Sequence, residues 1–235
     1  MRKERKDTRE TRQRLLGAAG EVFAAKGFWE ATHAEICRKA GANTAAINYH
    51  FGSKEELYVA AWKHAFEESL KAHPPDGGVG PAAPASERLR GRILSFMHRV
   101  ADLKNREIEI MHREMANPTG LLARVLPRAL EPMQQDGREI VRELLGAGAN
   151  EQEVSFCVMS LMGQCFAPMM HLRHARSGSG MPRPPGPPLD FRVEELADHV
   201  TRFTLAGIRG MRAETGKGRK VVRRPRRRKS SSKQG

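Results

Sequence analysis

The residues best suited to molecular recognition lie in the segment from His33 to Phe51, which reads HAEICRKAGANTAAINYHF. Two short helical stretches are joined there by a tight turn at Gly41, and Ile36, Ala40 and Ile47 have the spacing of a shared miniature core. Such a pair is typical of a helix-turn-helix, whose second helix enters a DNA major groove about 12 Å wide. Its outward side chains are small or hydrogen-bonding, as that role requires: Asn43, Thr44, Ala45, Ala46, Asn48, Tyr49 and His50.

Capping signals divide the chain around this segment into helices. Gly27 ends a first helix, Thr32 caps a second, and Asn43 caps a third. Ser53 and Glu56 have the spacing of a capping box that opens a fourth helix. The sequence therefore predicts four helices in the N-terminal third of the chain.

Helical periodicity recurs along the rest of the chain, and we find no alternating strand pattern. We predict an all-α fold of about nine helices. Residues 1–52 form a three-helix helix-turn-helix domain, and a fourth helix at 53–73 links it to the rest. Residues 74–212 form a helical ligand-binding and dimerisation domain. Residues 213–235 form a disordered basic tail, because they are too polar to fold alone.

The net charge of +14 is concentrated at the two ends of the chain. Residues 217–235 hold ten Lys and Arg and no acid, and residues 1–54 hold eleven bases and six acids. A polyanionic partner is one interpretation, and nucleic acid is the commonest polyanion. The other interpretation is surface charge that serves solubility, with a solvated tail. The tail itself either raises DNA affinity through salt-dependent phosphate contacts or has no consequence.

Several classes of protein are excluded by what the sequence lacks. It has no apolar run near the roughly 20 residues that span a bilayer, and its charged N-terminus does not read as a secretory signal. It has no nucleophile elbow, phosphate-binding glycine loop or metal motif, so we predict no catalytic residue, no metal and no cofactor. Cys157, Cys165 and His171-x-x-His174 form no compact ligand set, and packing residues are a simpler interpretation than a metal or thiol sensor. Three cysteines without zinc-site spacing fit a reducing cytoplasm.

Residues 9–66 resemble the DNA-binding domain of TetR-family transcriptional regulators. The matching residues are Phe23-x-x-x-Gly27-Phe28, Thr32, Ile36, Ala40-Gly41, Ile47-x-Tyr49-His50-Phe51 and Ser53-Lys54-Glu55-x-Leu57-Tyr58. Cys37, Ala42 and Asn43 depart from the usual residues but keep their size or capping ability. Two downstream runs, Arg113-Glu114-Met115-x-x-Pro118 and Ser160-Leu161-Met162-Gly163-Gln164-Cys165, resemble the C-terminal domain of the CecR-type subgroup.

This resemblance implies a role for each residue of a DNA-binding set. Three side chains would face base edges: Thr44, Ala45 and Asn48. The others would cap the recognition helix or approach the phosphate backbone: Asn43, Thr32, Tyr49, His50, Lys54, Arg9 and Arg12. Phe51 would instead belong to the core.

The resemblance also implies a homodimer that binds a palindromic operator in double-stranded DNA. A small-molecule effector of unknown identity would release it, and it would act as a repressor at the nucleoid in a prokaryotic cytoplasm, without a membrane partner. A transcriptional activator of the same fold, or a sequence-independent DNA-coating protein driven by the tail, are the alternatives.

Apolar side chains downstream suggest where a dimer contact and an effector pocket would lie. Two predicted helices are too apolar to face solvent, so either they pair with a second copy or they are buried within a monomer. The predicted dimer residues lie on these helices: Met159, Gly163, Val200, Phe203 and Gly207. The predicted pocket residues combine methionines with polar anchors, although methionines at helical spacing also form plain core: Met97, His98, Met111, His112, Met115, Met162 and Phe166.

Overall fold

The computed structural model of the chain describes residues 2–177 and 191–221, with side chains for 7–176 and 191–213. Within these ranges the chain is helical and has no strand, as the sequence predicts. The helices are α1 (Arg2–Glu30), α2 (His33–Ala40), α3 (Ala45–Phe51), α4 (Lys54–Ala72), α5 (Ala85–Ala101), α6 (Arg106–Ala116), α7 (Leu126–Leu145), α8 (Glu151–Ser177) and α9 (Val193–Val221). A short 3-10 helix, Leu122–Arg124, precedes α7.

The predicted caps at Thr32 and Ser53 are confirmed, whereas α3 has Thr44 as its N-cap, one residue after the predicted Asn43, and α1 resumes after Gly27 and ends at Glu30. Gly27 interrupts α1 with a φ of 74°, and Gly41 ends α2 in the left-handed region with a φ of 60°. Thr32 Oγ1 accepts the Glu35 N–H at 3.2 Å, and Ser53 Oγ accepts the Glu56 N–H at 3.1 Å. Both contacts satisfy backbone donors that a helix start leaves open.

Three buried residues hold α2 and α3 in their mutual orientation. Ile36, Ala40 and Ile47 are all buried in one cluster with Phe23 of α1 and Leu57 of α4. The predicted miniature core is therefore part of a larger core built from four helices. It fixes α3 on the surface as a short helix with one buried side.

The N-terminal core does not end where the sequence suggests a domain boundary. Ile110 of α6 and Leu122 of the 3-10 helix are fully buried in the same cluster as α1–α4, and Met133 of α7 packs against it. A second cluster joins α5, α8 and α9. The segment from about 106 to 133 thus shares a core with the helix-turn-helix, while Ile108 of α6 also connects it to the second cluster.

Arg173 of α8 joins the second cluster to the turn between α5 and α6. Its side chain is 1% exposed and donates to the backbone carbonyls of Val100 at 3.1 Å and Asn105 at 3.0 Å, and to Glu109 Oε1 at 2.7 Å. These bonds satisfy carbonyls at the end of α5, where intrahelical donors are missing.

The last helix is longer than predicted. α9 continues to Val221, so the stretch 213–221 is helical although it was expected in the tail. Lys, Arg and Ala have high helix propensity, and extending an existing helix requires no new nucleation. Residues 222–235, the remainder of the predicted tail, lie outside the described residues.

Candidate nucleic-acid interface

The helix α3 presents a polar outer face above a buried inner face. Ile47 and Phe51 are buried, whereas Thr44, Ala45 and Asn48 are exposed and Tyr49 is 77% exposed. The remaining predicted DNA-binding residues are either exposed or partly exposed: Thr32, Asn43, His50, Lys54, Arg9 and Arg12. None of this set is therefore buried in the described structure.

Asn43 fixes the start of α3. Its Oδ1 accepts the Ala45 N–H at 2.9 Å, and its backbone carbonyl accepts the Ala46 N–H at 2.9 Å. The helix begins at Ala45, with Thr44 in the preceding turn. This places Thr44 and Ala45 at the N-terminal end of the recognition helix, the end that contacts base edges in helix-turn-helix proteins.

Aromatic rings position two of the predicted phosphate-binding cations. Lys54 Nζ lies 4.5 Å from the centre of the Phe28 ring, and burial lowers the pKa of Lys54. The Arg12 guanidinium carbon lies 5.1 Å from the centre of the Phe51 ring. Such cation–π contacts hold a long side chain in place without neutralising its charge.

His50 lies near Arg12, and its protonation can respond to an anion. Its partial burial lowers its pKa, and the neighbouring Arg12 charge lowers the pKa of His50 further. The imidazole is therefore held toward its neutral form in the absence of DNA. An added phosphate would favour the protonated form.

Arg14 is a candidate that sequence reasoning missed. It is exposed, its Nη2 donates to Thr11 Oγ1 at 3.2 Å, and its Nη1 lies beside the turn at Gly41. By contrast, Lys26 and Lys39 are engaged by Glu35 and Glu21, at 2.8 Å and 2.6 Å. The sequence could have indicated Arg14 by its position, because it lies two residues after Arg12 near the same end of α1.

A buried carboxylate connects the DNA-binding unit to α6. Glu114 accepts hydrogen bonds from Tyr58 of α4 at 2.9 Å, from the Thr119 N–H at 3.0 Å and from the Gly120 N–H at 3.2 Å. Burial and the adjoining Glu114 raise the pKa of Tyr58 far above its ordinary value. The Tyr58 ring also packs edge-on against Phe28, at 5.3 Å between ring centres. A continuous series of contacts thus runs from the turn after α6 to Lys54.

The neighbouring residue makes a second connection, to α1. Arg113 Nη2 donates to the Ala25 carbonyl at 2.7 Å and its Nε to the Ala24 carbonyl at 3.4 Å. These carbonyls lie just before the interruption at Gly27, so Arg113 stabilises the end of the regular part of α1. Adjacent residues of α6 therefore hold both α1 and α4.

The structure disperses the residues that were predicted to line an effector pocket. Met97 is buried in the second cluster, and Met111 packs against the first. Met115 is 66% exposed, and Met162 and Phe166 lie on an exposed side of α8, so these three side chains do not line an enclosed pocket in the single chain. Helical spacing gave no indication of which side each helix buries.

The two histidines of that prediction also lie apart from each other. His98 lines a cavity of about 770 Å³ together with His73, Asp102 and Glu194. His112 faces His174 instead, with ring centres 5.1 Å apart. A single pocket lined by all seven residues is therefore absent from the described structure.

Metal and thiol chemistry finds no support in the described part of the chain. No group of three or more potential ligands there is close enough to hold a metal ion. Burial raises the pKa of Cys165 to about 12 and also raises the pKa of Cys157. Both thiols are thus held in the protonated form, which is a poor nucleophile and metal ligand.

Four of the five predicted dimer residues lie on accessible surface. Met159 is 68% and Phe203 61% exposed, and a Cβ added at Gly163 or Gly207 would meet nothing within 4 Å. Val200 is the exception, because it is buried in the chain's own second cluster and cannot touch a partner. Phe156, 54% exposed on α8, was missed although it shares the helical spacing of Met159 and Gly163.

The helix α8 is strongly apolar although the rest of the chain buries little of it. Among the described helices, α8 alone has the length and mean hydropathy of a membrane-crossing segment. The stretch Glu151–Arg176 has a mean hydropathy of 1.2, and 28% of it is buried. A single helix of this kind is weak support for a membrane span, because core and interface helices have the same composition.

Comparison with known proteins decides the family. The profile of the bacterial regulatory proteins of the tetR family matches residues 15–61, and that of the C-terminal domain of the HTH-type transcriptional dual regulator CecR matches residues 85–208. The chain belongs to the TetR family, with a CecR-type C-terminal domain. It is a DNA-binding transcriptional regulator and not an enzyme.

Relatives and solved structures agree with this assignment. The regulator is 28% identical to the dual regulator CecR of Shigella flexneri over 168 residues, which cover 67% of this chain and 75% of CecR. It is 46% identical to the regulator TtgW of Pseudomonas putida over 81 residues, covering 33% of this chain and 58% of TtgW. A TetR-like transcriptional regulator from a Rhodococcus species shares the fold, with a TM-score of 0.61 at 20% identity and coverage of 85% and 96%. So does FadR from Bacillus subtilis in complex with stearoyl-CoA, with a TM-score of 0.62 at 17% identity and coverage of 83% and 98%.

Proposed function

We propose that this regulator is a homodimeric repressor that binds a palindromic operator and is released by a small-molecule effector in a prokaryotic cytoplasm. The observation that carries the proposal is the face of α3, where Thr44, Ala45 and Asn48 are exposed above the buried Ile47 and Phe51. A short helix held this way fits a major groove with its polar side toward the bases.

The proposed readout divides base contacts from phosphate contacts. The Asn48 amide can bond adenine N6 and N7 together, and the methyl groups of Thr44 and Ala45 can meet thymine methyls. Tyr49, His50 and the cations around them contact phosphates, which sets register and affinity rather than sequence. We add Arg14 to that phosphate-binding group.

The exposed apolar surface of α8 and α9 supports the homodimer. Phe156, Met159, Met162 and Phe166 follow helical spacing along α8, and Phe203 presents a ring from α9. A contiguous apolar surface of this kind is typical of an interface, and a twofold interface uses the same patch on both copies. Glycines at Gly163 and Gly207 allow close backbone approach there.

The contacts of α4 support release by an effector. Specific binding by a dimer requires two recognition helices about 34–36 Å apart, or a multiple of that distance. Two residues, Gly52 and Ser53, separate the end of α3 from the start of α4, and Tyr58 ties α4 to α6 through Glu114. An effector that changes the position of α4 relative to α6 therefore changes the separation of the recognition helices. The solved FadR complex with stearoyl-CoA is an example of this fold with a ligand.

A gel-shift titration on the upstream region of the regulator's own gene tests the proposal. The intact protein, the Asn48→Ala variant and a Gln135→Ala control are titrated with excess random DNA at about 0.15 M salt. Gln135 is an exposed amide on α7, far from α3 in the sequence. We expect a discrete complex with the intact protein and the control, and a loss of about 1–3 kcal/mol in binding free energy with Asn48→Ala.

The same titration tests the alternative of a sequence-independent DNA-coating protein. That alternative rests on the ten Lys and Arg of residues 217–235. It predicts a smear that random DNA removes and that Asn48→Ala does not change. Removing residues 217–235, which hold all ten, would abolish such binding but leave operator binding in place. A reporter gene under the bound promoter then distinguishes repression from activation.

A further inference from the structure

Trp29 is a large aromatic side chain on the surface of the last turn of α1, beyond the interruption at Gly27. It is 66% exposed, and within the described residues its one ring contact is with Phe28, edge-on at 5.2 Å between ring centres. Its Nε1 has no hydrogen-bond partner among those residues. An indole N–H donates and cannot accept, so a partner for it must supply an acceptor. Tryptophan is enriched at interfaces because it combines an apolar ring with this polar tip.

Neighbouring contacts hold Trp29 in this exposed position. Gly27 has a φ of 74°, and the chain beyond it buries Phe28, which is 8% exposed. Arg113 donates to the two carbonyls just before this interruption, and Tyr58 packs edge-on against Phe28 at 5.3 Å between ring centres. The segment is therefore fixed from inside the molecule, and an indole that is already positioned loses little further conformational freedom on binding.

Trp29 adjoins two residues of the proposed phosphate-binding group. Lys54 Nζ lies 4.5 Å from the centre of the same Phe28 ring that the indole contacts, so the two side chains share one ring. Thr32, the exposed N-cap of α2, follows three residues later in the chain. One strand of B-DNA carries a phosphate about every 3.4 Å along the helix axis, so a backbone that reaches Lys54 also passes its immediate neighbours. The unpaired indole donor therefore lies where acceptors would be dense.

We propose that Trp29 is a DNA-backbone contact outside the recognition helix. Its Nε1–H donates to a phosphate oxygen, and its ring packs against the adjoining deoxyribose. This inference rests on the docking of α3 proposed above. A DNA backbone suits the site better than a protein surface does, because phosphate oxygens accept hydrogen bonds and a cation, Lys54, shares the ring on which the indole packs. The contact adds affinity and fixes register without reading sequence.

Acrylamide quenching tests the contact on the intact protein, because the two tryptophans differ in exposure. Trp62 is fully buried, so the emission that acrylamide quenches comes from Trp29. We expect saturation with a duplex of the upstream region to lower the Stern–Volmer slope by about half, since the backbone covers one side of the indole. An unchanged slope in a saturated complex overturns the proposal.

Substitutions at Trp29 test what the contact contributes to binding. Trp29→Ala should weaken binding about ten-fold or more, because a hydrogen bond to a charged group is lost, and Trp29→Phe should lose much of the same affinity because it keeps a ring without the donor. Both should weaken the upstream region and a random duplex of equal length by the same factor, since a phosphate contact is independent of sequence. Met115→Ala is the matched control, because Met115 is also 66% exposed but lies on α6.

Two results of this comparison would contradict the proposal. A loss confined to the upstream region would make Trp29 a base contact. Unchanged affinity for both duplexes would leave the indole as a surface for a protein partner. Urea denaturation of the variants accompanies the titrations, and we expect it to be unchanged because the side chain is mostly exposed.

Lys54→Gln, titrated alongside, separates this inference from the proposed docking of α3. If Lys54→Gln weakens binding and Trp29→Ala does not, the docking stands and the role of Trp29 fails. If neither variant weakens binding, the docking itself is wrong, and the role of Trp29 fails with it. Weaker binding by both variants, with Met115→Ala unchanged, supports the two together.

Discussion

At the scale of single residues, the chemistry of the interface depends on how each cation is held before DNA arrives. Lys54 and Arg12 lie over aromatic rings and remain charged, whereas burial and Arg12 hold His50 toward its neutral form. His50 is therefore the member of this trio whose protonation state a bound phosphate can change. The proposed phosphate contact gives that change a consequence for affinity.

We expect operator affinity to rise as the pH falls through the range that His50 titrates. The pKa of His50 is lowered in the free protein and raised beside a phosphate, so binding takes up a proton between the two values. The gain is complete below the free-state pKa and is lost above the pKa in the complex. Fluorescence anisotropy with labelled operator between about pH 5.5 and 8 measures the slope. His50→Gln should remove most of the slope, and a slope unchanged in that variant would exclude the role.

At the scale of helices, glycines show how tertiary contact overrides local propensity. A Cβ at Gly91 of α5 would lie 2.7 Å from both the Asp76 carbonyl oxygen and Val79 Cγ2 of the preceding loop. Gly17 of α1 has nothing within 4 Å of the same position. Both glycines lie inside helices, so propensity alone treats them alike.

Alanine at these two glycines should therefore change stability in opposite directions. Gly17→Ala should raise the free energy of unfolding by about 1 kcal/mol, the difference in helix propensity. Gly91→Ala should lower it by about 1–3 kcal/mol, because the new methyl group forces the loop away from α5. Urea denaturation of the two variants checks this. Stabilisation by Gly91→Ala would show that the loop moves aside without cost.

The link between α4 and α6 yields a prediction of a different kind. Tyr58→Phe removes one donor from the buried Glu114 and should lower the free energy of unfolding by about 1–2 kcal/mol. It should also weaken the preference for one separation of half-sites, because α4 is held less firmly. Operators with the spacer changed by a single base pair measure that preference. A stability loss with an unaltered spacing preference would limit Tyr58 to a structural role.

The sequence predicted the ends of the helices well, because caps are local. It predicted poorly which side of each helix is buried. Thr32, Asn43 and Ser53 act within four residues of their own position, so the sequence around each contains the whole interaction. The assignments of Met115 and Val200 depended on which side of a helix faces another helix. That information lies in contacts between segments far apart in sequence, and apolar spacing alone cannot supply it.

The buried polar groups show the same limit. Glu114 reads in the sequence as an ordinary helical acid, yet it accepts hydrogen bonds from α4 and from the turn after α6. Arg99 likewise reads as a surface cation and is buried between Phe66 and Phe96. Only the arrangement of four helices shows either role.

At the scale of the whole molecule, the uncovered side of α8 and α9 is where we propose that the second copy binds. Met159→Glu should convert the proposed dimer to a monomer, because a carboxylate buried at the centre of an apolar interface lacks a counter-charge. Sedimentation equilibrium measures the mass, and operator affinity should fall by about a hundred-fold or more as the second half-site contact is lost. Met115→Glu is the control, since Met115 is similarly exposed, at 66% against 68%, but lies on α6. A Met159→Glu protein that remains dimeric would place the interface elsewhere.

The core that α6, the 3-10 helix and the start of α7 share with α1–α4 limits how this regulator can be recombined with its relatives. A chimaera joined at residue 73 would separate Ile110 and Leu122 from Phe23 and Trp62, the surfaces they bury. Exchange of DNA specificity among such proteins is therefore easier through the few outward residues of α3 than through transfer of a whole N-terminal module. A graft that includes residues up to Met133 would carry its own packing with it, together with the Glu114 and Arg113 contacts that connect the two halves.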